Sequence, residues 1–241
     1  MTIFYSDSSN FTRRNRNEDC RSVKRKLRIE RFWPAAIPIE KTAAVDFQSY
    51  VKFYGKLGFS VIPLQHASKS PALESWKEFQ TRKPTEEEIE RWFGQNNVNI
   101  GIVCGSVSGN LVAIDFDDDE VYRRFFDCDK IERSTPVVKT SRGFQVYLLS
   151  DKAVKSAKIP ELKMEIRSDG NYVVAPSSIH PSGHQYYFVN PAVNEVLTVS
   201  NLEESLWKRI EELGVRKRVF IDPTWRTGRV GRYKGSHPPC I

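Results

Sequence analysis

The sequence predicts an α+β domain built on a mixed, mostly antiparallel sheet. Three observations lead there. Strand-like and helix-like runs intermingle along the chain instead of alternating regularly. The later strand-like runs are joined by links short enough for hairpins, which suits antiparallel pairing. Neither a Walker A loop nor a dinucleotide-binding glycine motif is present, since "GIVCGSVSG" lacks both the Lys-Ser/Thr ending and the spacing. A doubly wound parallel sheet is therefore not indicated.

Each element has a local reason. The run 46–58, "DFQSYVKFYGKLG", places Phe47, Tyr50, Val51, Tyr54 and Leu57 at helical spacing and ends on Gly58. "FSVIPL" reads as a strand, and "HASKSPALESWKEFQ" as a loop leading into a short helix. "TRKPTEEEIERWFGQ" sets Pro84 and Thr85 ahead of three acids, a helix start, with Gly94 at its end. "NIGIVCG" and "NLVAIDFD" are strands linked by the turn "SVSG", and one helix is expected over 118–131. "PVVKT", "FQVYLLS", "KMEIR", "NYVVAPSS" and "QYYFVN" supply five further strands, and "NLEESLWKRIEELG" a last amphipathic helix.

With 241 residues, 39% of them hydrophobic and 12% aromatic, the chain can bury a core. No apolar run reaches membrane-spanning length, and the first residues do not read as a signal peptide. Cys20, Cys104, Cys128 and Cys240 are scattered, without a Cys-x-x-Cys pair. That pattern suits unpaired thiols in a cytoplasmic protein, and no zinc site is expected.

Charge is unevenly placed. Residues 13–31 and 208–234 each carry a net +6, while the stretch between them is near −4, within a whole-chain charge of +7. Two basic flanks around an acidic body fit either a polyanion partner, most simply nucleic acid, or solvated arms. In the second flank Arg226, Arg229, Arg232 and Lys234 alternate with small residues, a strip suited to phosphate-backbone contacts or to a linker.

The acids gather at "LVAIDFDDDE", residues 111–120. Side chains alternate along a strand, so Asp115 and Asp117 share one face, about 7 Å apart. Such a pair can hold Mg²⁺ or Mn²⁺, hard cations that prefer oxygen. Asp118, Asp119 and Glu120 have a structural explanation, capping a helix and matching its dipole. An Asp-x-Asp pair alone does not fix a function, since a solvated strand end gives the same pattern. Three stretches add to it: "KTSRGFQVYLL", with Gln145 and Tyr147 on one face; "LKMEIRSDGNYVVAPSSIHPSG", with Glu165 and Arg167 on one face; and "IPLQHASKSPALESW", with Lys69 in a loop before Trp76.

In order, "GFSVIPL", "KSPALESW", "NIGIVCGSVSGNLVAIDFD", "TSRGFQVYL" and "MEIRSDGNYVVAPSSIHPSG" resemble the primase–polymerase domain of archaeal plasmid and phage replication proteins, within the archaeo-eukaryotic primase superfamily. The resemblance runs from about Phe47 to Phe188. It implies an RRM-like catalytic sheet with a smaller α/β partner, and metal-dependent, template-directed nucleotidyl transfer. It also implies a two-metal Mg²⁺ or Mn²⁺ site on Asp115, Asp117 and Glu165, with dNTP or rNTP held by Lys69, Arg142, Gln145, Arg167, Ser177, Ser178 and His180. The expected partner is single-stranded or primed DNA, with a replicative helicase or a C-terminal helical domain beyond it, since "YKGSHPPCI" is similar to the opening of such a domain. The implied organisation is a basic arm (1–40), a catalytic domain (41–205) and a C-terminal helix with basic tail (206–241).

Two positions depart from the family pattern. Glu165 stands where many relatives carry Asp, one methylene longer. Gln145 stands where they carry a phosphate-contacting histidine, so a neutral donor replaces a cation. Those departures leave a second expectation open, a catalytically weak or inactive nucleic-acid-binding replication module on the same fold. An RNA-binding module of RRM type would want exposed aromatics on the central strands, where this chain has acids.

Overall fold

The computed structural model describes residues 47–94 and 98–216. The basic N-terminal arm and the strip Arg226, Arg229, Arg232 and Lys234 lie outside those residues.

Helix α1 (Phe47–Lys56) buries Phe47, Val51, Phe53 and Tyr54. It closes at Gly58, whose φ of +78° is the left-handed conformation that a glycine adopts without a Cβ clash. Strand β1 (Ser60–Gln65) follows, then a single 3-10 turn at Lys77–Gln80. Helix α2 (Glu86–Phe93) begins with a reciprocal cap: Thr85 Oγ1 accepts from Glu88 N at 3.2 Å, and Glu88 Oε2 accepts from Thr85 N at 2.8 Å. Strands β2 (Val98–Val103) and β3 (Leu111–Phe116) come next.

Residues 118–131 form two helices, not the single one expected: α3 (Asp119–Phe125) and α4 (Cys128–Ser134). Phe126 is extended, and Asp127 restarts the helix by accepting from Lys130 N. A side chain that caps competes with helix continuation. Strands β4 (Val137–Lys139), β5 (Phe144–Ser150), β6 (Ala157–Ile159), β7 (Met164–Arg167), β8 (Tyr172–Val174), β9 (Tyr187–Phe188) and β10 (Leu197–Val199) precede helix α5 (Leu202–Glu212). Strands β6 and β10 were not anticipated. Helix α5 runs unbroken across residue 205, where the catalytic domain was expected to end.

The strands form two sheets, β1-β2-β8 and β6-β7-β3-β5-β4-β9, with β10 added beside β5. The β10–β5 pairing is parallel and the others are antiparallel, as the α+β reading requires. Strands β2 and β3 are not a hairpin: the turn between them carries the chain from the small sheet to the large one. The β7–β8 link carries it back alongside. Cys104 N donates to Asn171 O at 2.9 Å, and Asp169 Oδ1 accepts from Ser106 N at 2.8 Å, so the two crossings are tied together. Gly105, at φ +86°, lies so close to Asp169 that a Cβ would stand 2.0 Å from its carboxylate.

The alternation of β3 sorts the core into two layers. Val112, Ile114 and Phe116 face α3, α4 and α5, together with Val146 and Ile166. Leu111 and Ala113 face the small sheet and α1, together with Val138, Tyr147 and Leu149. Asp115 is on this second face, at the end of the strand, where the apolar layer between the sheets gives way to charge. Among the described residues, no helix is long and apolar enough to cross a membrane.

Candidate active site

Asp115 is directly opposite Gln145 on β5 and Glu165 on β7. Cross-strand partners share a face, so Glu165, Asp115 and Gln145 make a row across three strands. Ala113, one step deeper, is opposite Tyr147 and Arg167. Three segments far apart in sequence thus meet where their motifs placed them. The Asp115 side chain is 19% exposed and that of Glu165 29%.

A guanidinium bridges those two carboxylates. Arg167 Nε lies 3.2 Å from Asp115 Oδ2, and Arg167 Nη2 lies 2.7 Å from Glu165 Oε2. Lys158 Nζ reaches Glu165 Oε1 at 3.0 Å. The Arg167 Nε contact is an ion pair without hydrogen-bond alignment, which leaves that buried N–H unsatisfied. Burial pushes the Asp115 carboxyl above its ordinary range; the Arg167 charge opposes the shift and Asp117 adds to it.

Asp117 follows the last residue of β3 and is exposed. Its Oδ1 is 3.1 Å from Arg142 Nη2. The turn carrying Arg142 is folded by Thr140 Oγ1, which accepts from Gly143 N at 3.0 Å. It abuts the end of β3 so tightly that a Cβ on Gly143 would meet Phe116 O at 2.0 Å. The three acids that follow behave as capping residues. Asp118 is the α3 N-cap, accepting from Glu120 N at 2.9 Å, with Asp119 and Glu120 in the first turn.

Lys69 and His180 sit on two hairpin loops above this row. The charges of Lys69 and Arg142, after burial itself, hold the His180 pKa below the usual imidazole value, and Lys69 also acts on Asp115. His180 Nδ1 accepts from Ser182 N at 3.1 Å, an arrangement that favours the neutral tautomer with its proton on Nε2. Ser177 is at φ +76° in the same loop. Ser178 is fully buried, and its Oγ accepts from Ile100 N at 2.8 Å. That hydroxyl anchors the loop to β2. Gln145 is also buried, with its Oε1 facing the Tyr147 hydroxyl at 3.4 Å.

Sequence reasoning missed Asn99. It is buried on β2, and its Nδ2 donates to Ser68 O at 2.9 Å and to Ile179 O at 2.7 Å. A lone asparagine in an apolar strand gives no sequence signal of such a link; only the proximity of the loops at Ser68 and Ile179 reveals it.

Among the described residues, no group of three or more His, Cys, Asp or Glu side chains is arranged to hold a metal ion. The donor chemistry nevertheless fits a hard divalent cation. Asp115, Glu165 and Asp117 are anionic oxygen ligands on adjoining strand ends, and each is matched to a cationic side chain of the chain itself. A half-buried carboxylate with a raised pKa is a group that a cation relieves.

Comparison with curated proteins finds no match. The family model described as "Bifunctional DNA primase/polymerase, N-terminal" matches residues 51–204, well over half of the chain. That span holds the whole Glu165–Asp115–Gln145 row and both loops above it, and the chain belongs to the DNA primase/polymerase family.

Proposed function

We propose that this chain is a metal-dependent nucleotidyltransferase that makes or extends primers on a DNA template. The observation that carries the reading is the cross-strand row, in which Glu165 and Asp115 are direct register partners, with Asp117 just past the end of the same strand. Divalent cations on these carboxylates would polarise the primer 3′-hydroxyl and offset charge on the triphosphate. The residues around them have separable roles. Lys69 and Arg142 supply positive charge for the phosphates. The His180 Nε2–H and the Gln145 amide add neutral donors. Arg167 balances the carboxylates, and with a divalent cation held there its guanidinium would be available to a phosphate oxygen.

Mg²⁺ and Mn²⁺ are the cations this oxygen-only set favours. The ordered motifs and "YKGSHPPCI" support a setting in plasmid or viral replication, with a helical domain or helicase as partner. The strip Arg226, Arg229, Arg232 and Lys234 is proposed to follow the DNA backbone. Loss of primer extension in Asp115→Ala and Asp117→Ala, with the fold retained, tests the assignment.

A non-catalytic DNA-binding role on the same fold is the second reading. The specific observation in its favour is Gln145, a neutral amide at the position facing Asp115. Metal-dependent nucleotide incorporation separates the two.

A further inference from the structure

Two hairpin loops carry the basic rim of the site. The first leaves β1 and returns at Pro71, which bridges to Leu64, with Lys69 near its tip. The second is closed by the Ile179–Gln185 bridge, with His180 and His184 within it. Nothing in the chain order brings them together. Asn99 does: its two N–H groups go to Ser68 O, the carbonyl before Lys69, and to Ile179 O, the carbonyl before His180. Its Oδ1 accepts from Ile179 N at 3.0 Å. Three hydrogen bonds at good length from one side chain, 1% exposed, use both donors and one acceptor position.

One residue in the first loop and one just before the second have backbones that resist their conformation. Ala67 has φ +48° and Ser177 has φ +76°, left-handed values that a Cβ disfavours. Such conformations persist where neighbouring structure holds them. Asn99 grips one residue beyond Ala67 and two beyond Ser177. Tyr172 Oη donates to Lys69 O at 2.9 Å, and Ser178 Oγ ties the second loop to Ile100, so each loop has one further anchor. Among the described residues, Asn99 hydrogen-bonds to both loops.

We infer that Asn99 is a positioning residue for nucleotide binding, a buried clasp that sets Lys69 and His180 side by side as one phosphate-contacting wall. This rests on the nucleotidyl-transfer reading of the site. Asparagine suits the task because it offers two donors and an acceptor on a short, stiff stem. Aspartate has the same shape but would point oxygen at two carbonyl oxygens.

The test is Asn99→Asp and Asn99→Ala in the full chain, with dATP–Mg²⁺ binding by calorimetry and primer extension read side by side. The expected result is dATP affinity lower by about tenfold and kcat at saturating nucleotide within about threefold, the pattern of lost ground-state binding. A cycle with Lys69→Ala is expected to be non-additive, because Asn99 acts through the Lys69 loop. Wild-type affinity in Asn99→Asp, or strict additivity with Lys69→Ala, overturns the inference. If the variants do not fold, hydrogen exchange in the wild-type chain decides: a protected Ile179 amide supports the clasp, and exchange at open-loop rates overturns it. Asp115→Ala is run beside them. Extension retained there removes the Asp115 assignment while leaving the clasp to stand or fall on dATP affinity.

Discussion

Arg167 Nε lies 3.2 Å from Asp115 Oδ2, and the same guanidinium reaches Glu165 on the other side. The pair explains how two carboxylates tolerate direct cross-strand opposition at the edge of an apolar layer. Like charges at that position repel, and burial adds a desolvation cost. A nearby cation offsets this, and here it is Arg167, with Lys158 on Glu165 as well.

Replacing Arg167 by Gln is therefore expected to lower stability by about 1–3 kcal/mol, less than a fully buried pair would lose because both side chains keep some exposure. Added Mg²⁺ is expected to recover more of the melting temperature in Arg167→Gln than it adds to wild type, because the variant lacks the cation shared by both carboxylates. Thermal melts with and without Mg²⁺, and with EDTA, check this.

The raised Asp115 pKa gives a pH dependence of defined sign. A carboxyl that holds its proton more tightly in the native state than in the unfolded chain makes stability fall as pH rises through its native pKa. Below the ordinary aspartate value of about 3.9 the penalty is absent. Asp115→Asn is expected to melt higher than wild type near neutral pH, the gap closing as pH falls towards that value. Metal affinity is expected to weaken over the same descent, since binding must displace the proton. Melts at several pH values and Mn²⁺ binding measure the two effects.

Gly143 is where the turn carrying Arg142 presses on the end of β3. A methyl group there overlaps Phe116 O, a backbone atom that cannot swing aside. Gly143→Ala is expected to cost about 1–3 kcal/mol, as overpacking does, and to reduce nucleotide affinity by moving Arg142. Gly170→Ala is the contrast: its methyl meets nothing within 4 Å, so its cost is only that of the left-handed backbone at φ +79°. Denaturant unfolding of the two variants separates steric overlap from backbone strain.

Much of this site was legible in the sequence because strand alternation is a rigid rule. Period two pairs Glu165 with Arg167 on β7 and Gln145 with Tyr147 on β5, and register aligns Glu165, Asp115 and Gln145 in one row; Asp117 falls just past the end of β3, where strand alternation no longer places it. The capping role of Asp118 followed from its place ahead of acids. Other features had no local signal. Strand β6 is three residues long and runs straight into Pro160, and β10 is three half-buried residues, so neither shows periodicity. The break between α3 and α4 turned on Asp127 choosing to cap instead of continuing a helix. The family resemblance assigned Ser178 to the triphosphate, whereas its bond from Ile100 N, which no local sequence pattern announces, ties its loop to β2.

Gln145 is the departure with the clearest kinetic consequence. Gln145→His would place a titratable donor beside Asp115, whose charge favours the imidazolium. The variant is expected to bind nucleotide several-fold more tightly below about pH 6.5, where histidine is protonated, and to show a pH-dependent limb in kcat/KM that the wild type lacks. A pH–rate profile of both proteins tests it.

The central claim is that the Asp115 row transfers nucleotides. The most direct measurement is extension of a short primed DNA template with dNTPs or rNTPs, in Mg²⁺ or Mn²⁺, with Asp115→Ala/Asp117→Ala beside wild type. The account predicts metal-dependent extension by wild type, abolished in the double variant while its circular dichroism stays native. Extension retained by a folded Asp115→Ala/Asp117→Ala protein, or none by wild type under any of these conditions while template is still bound, would contradict it.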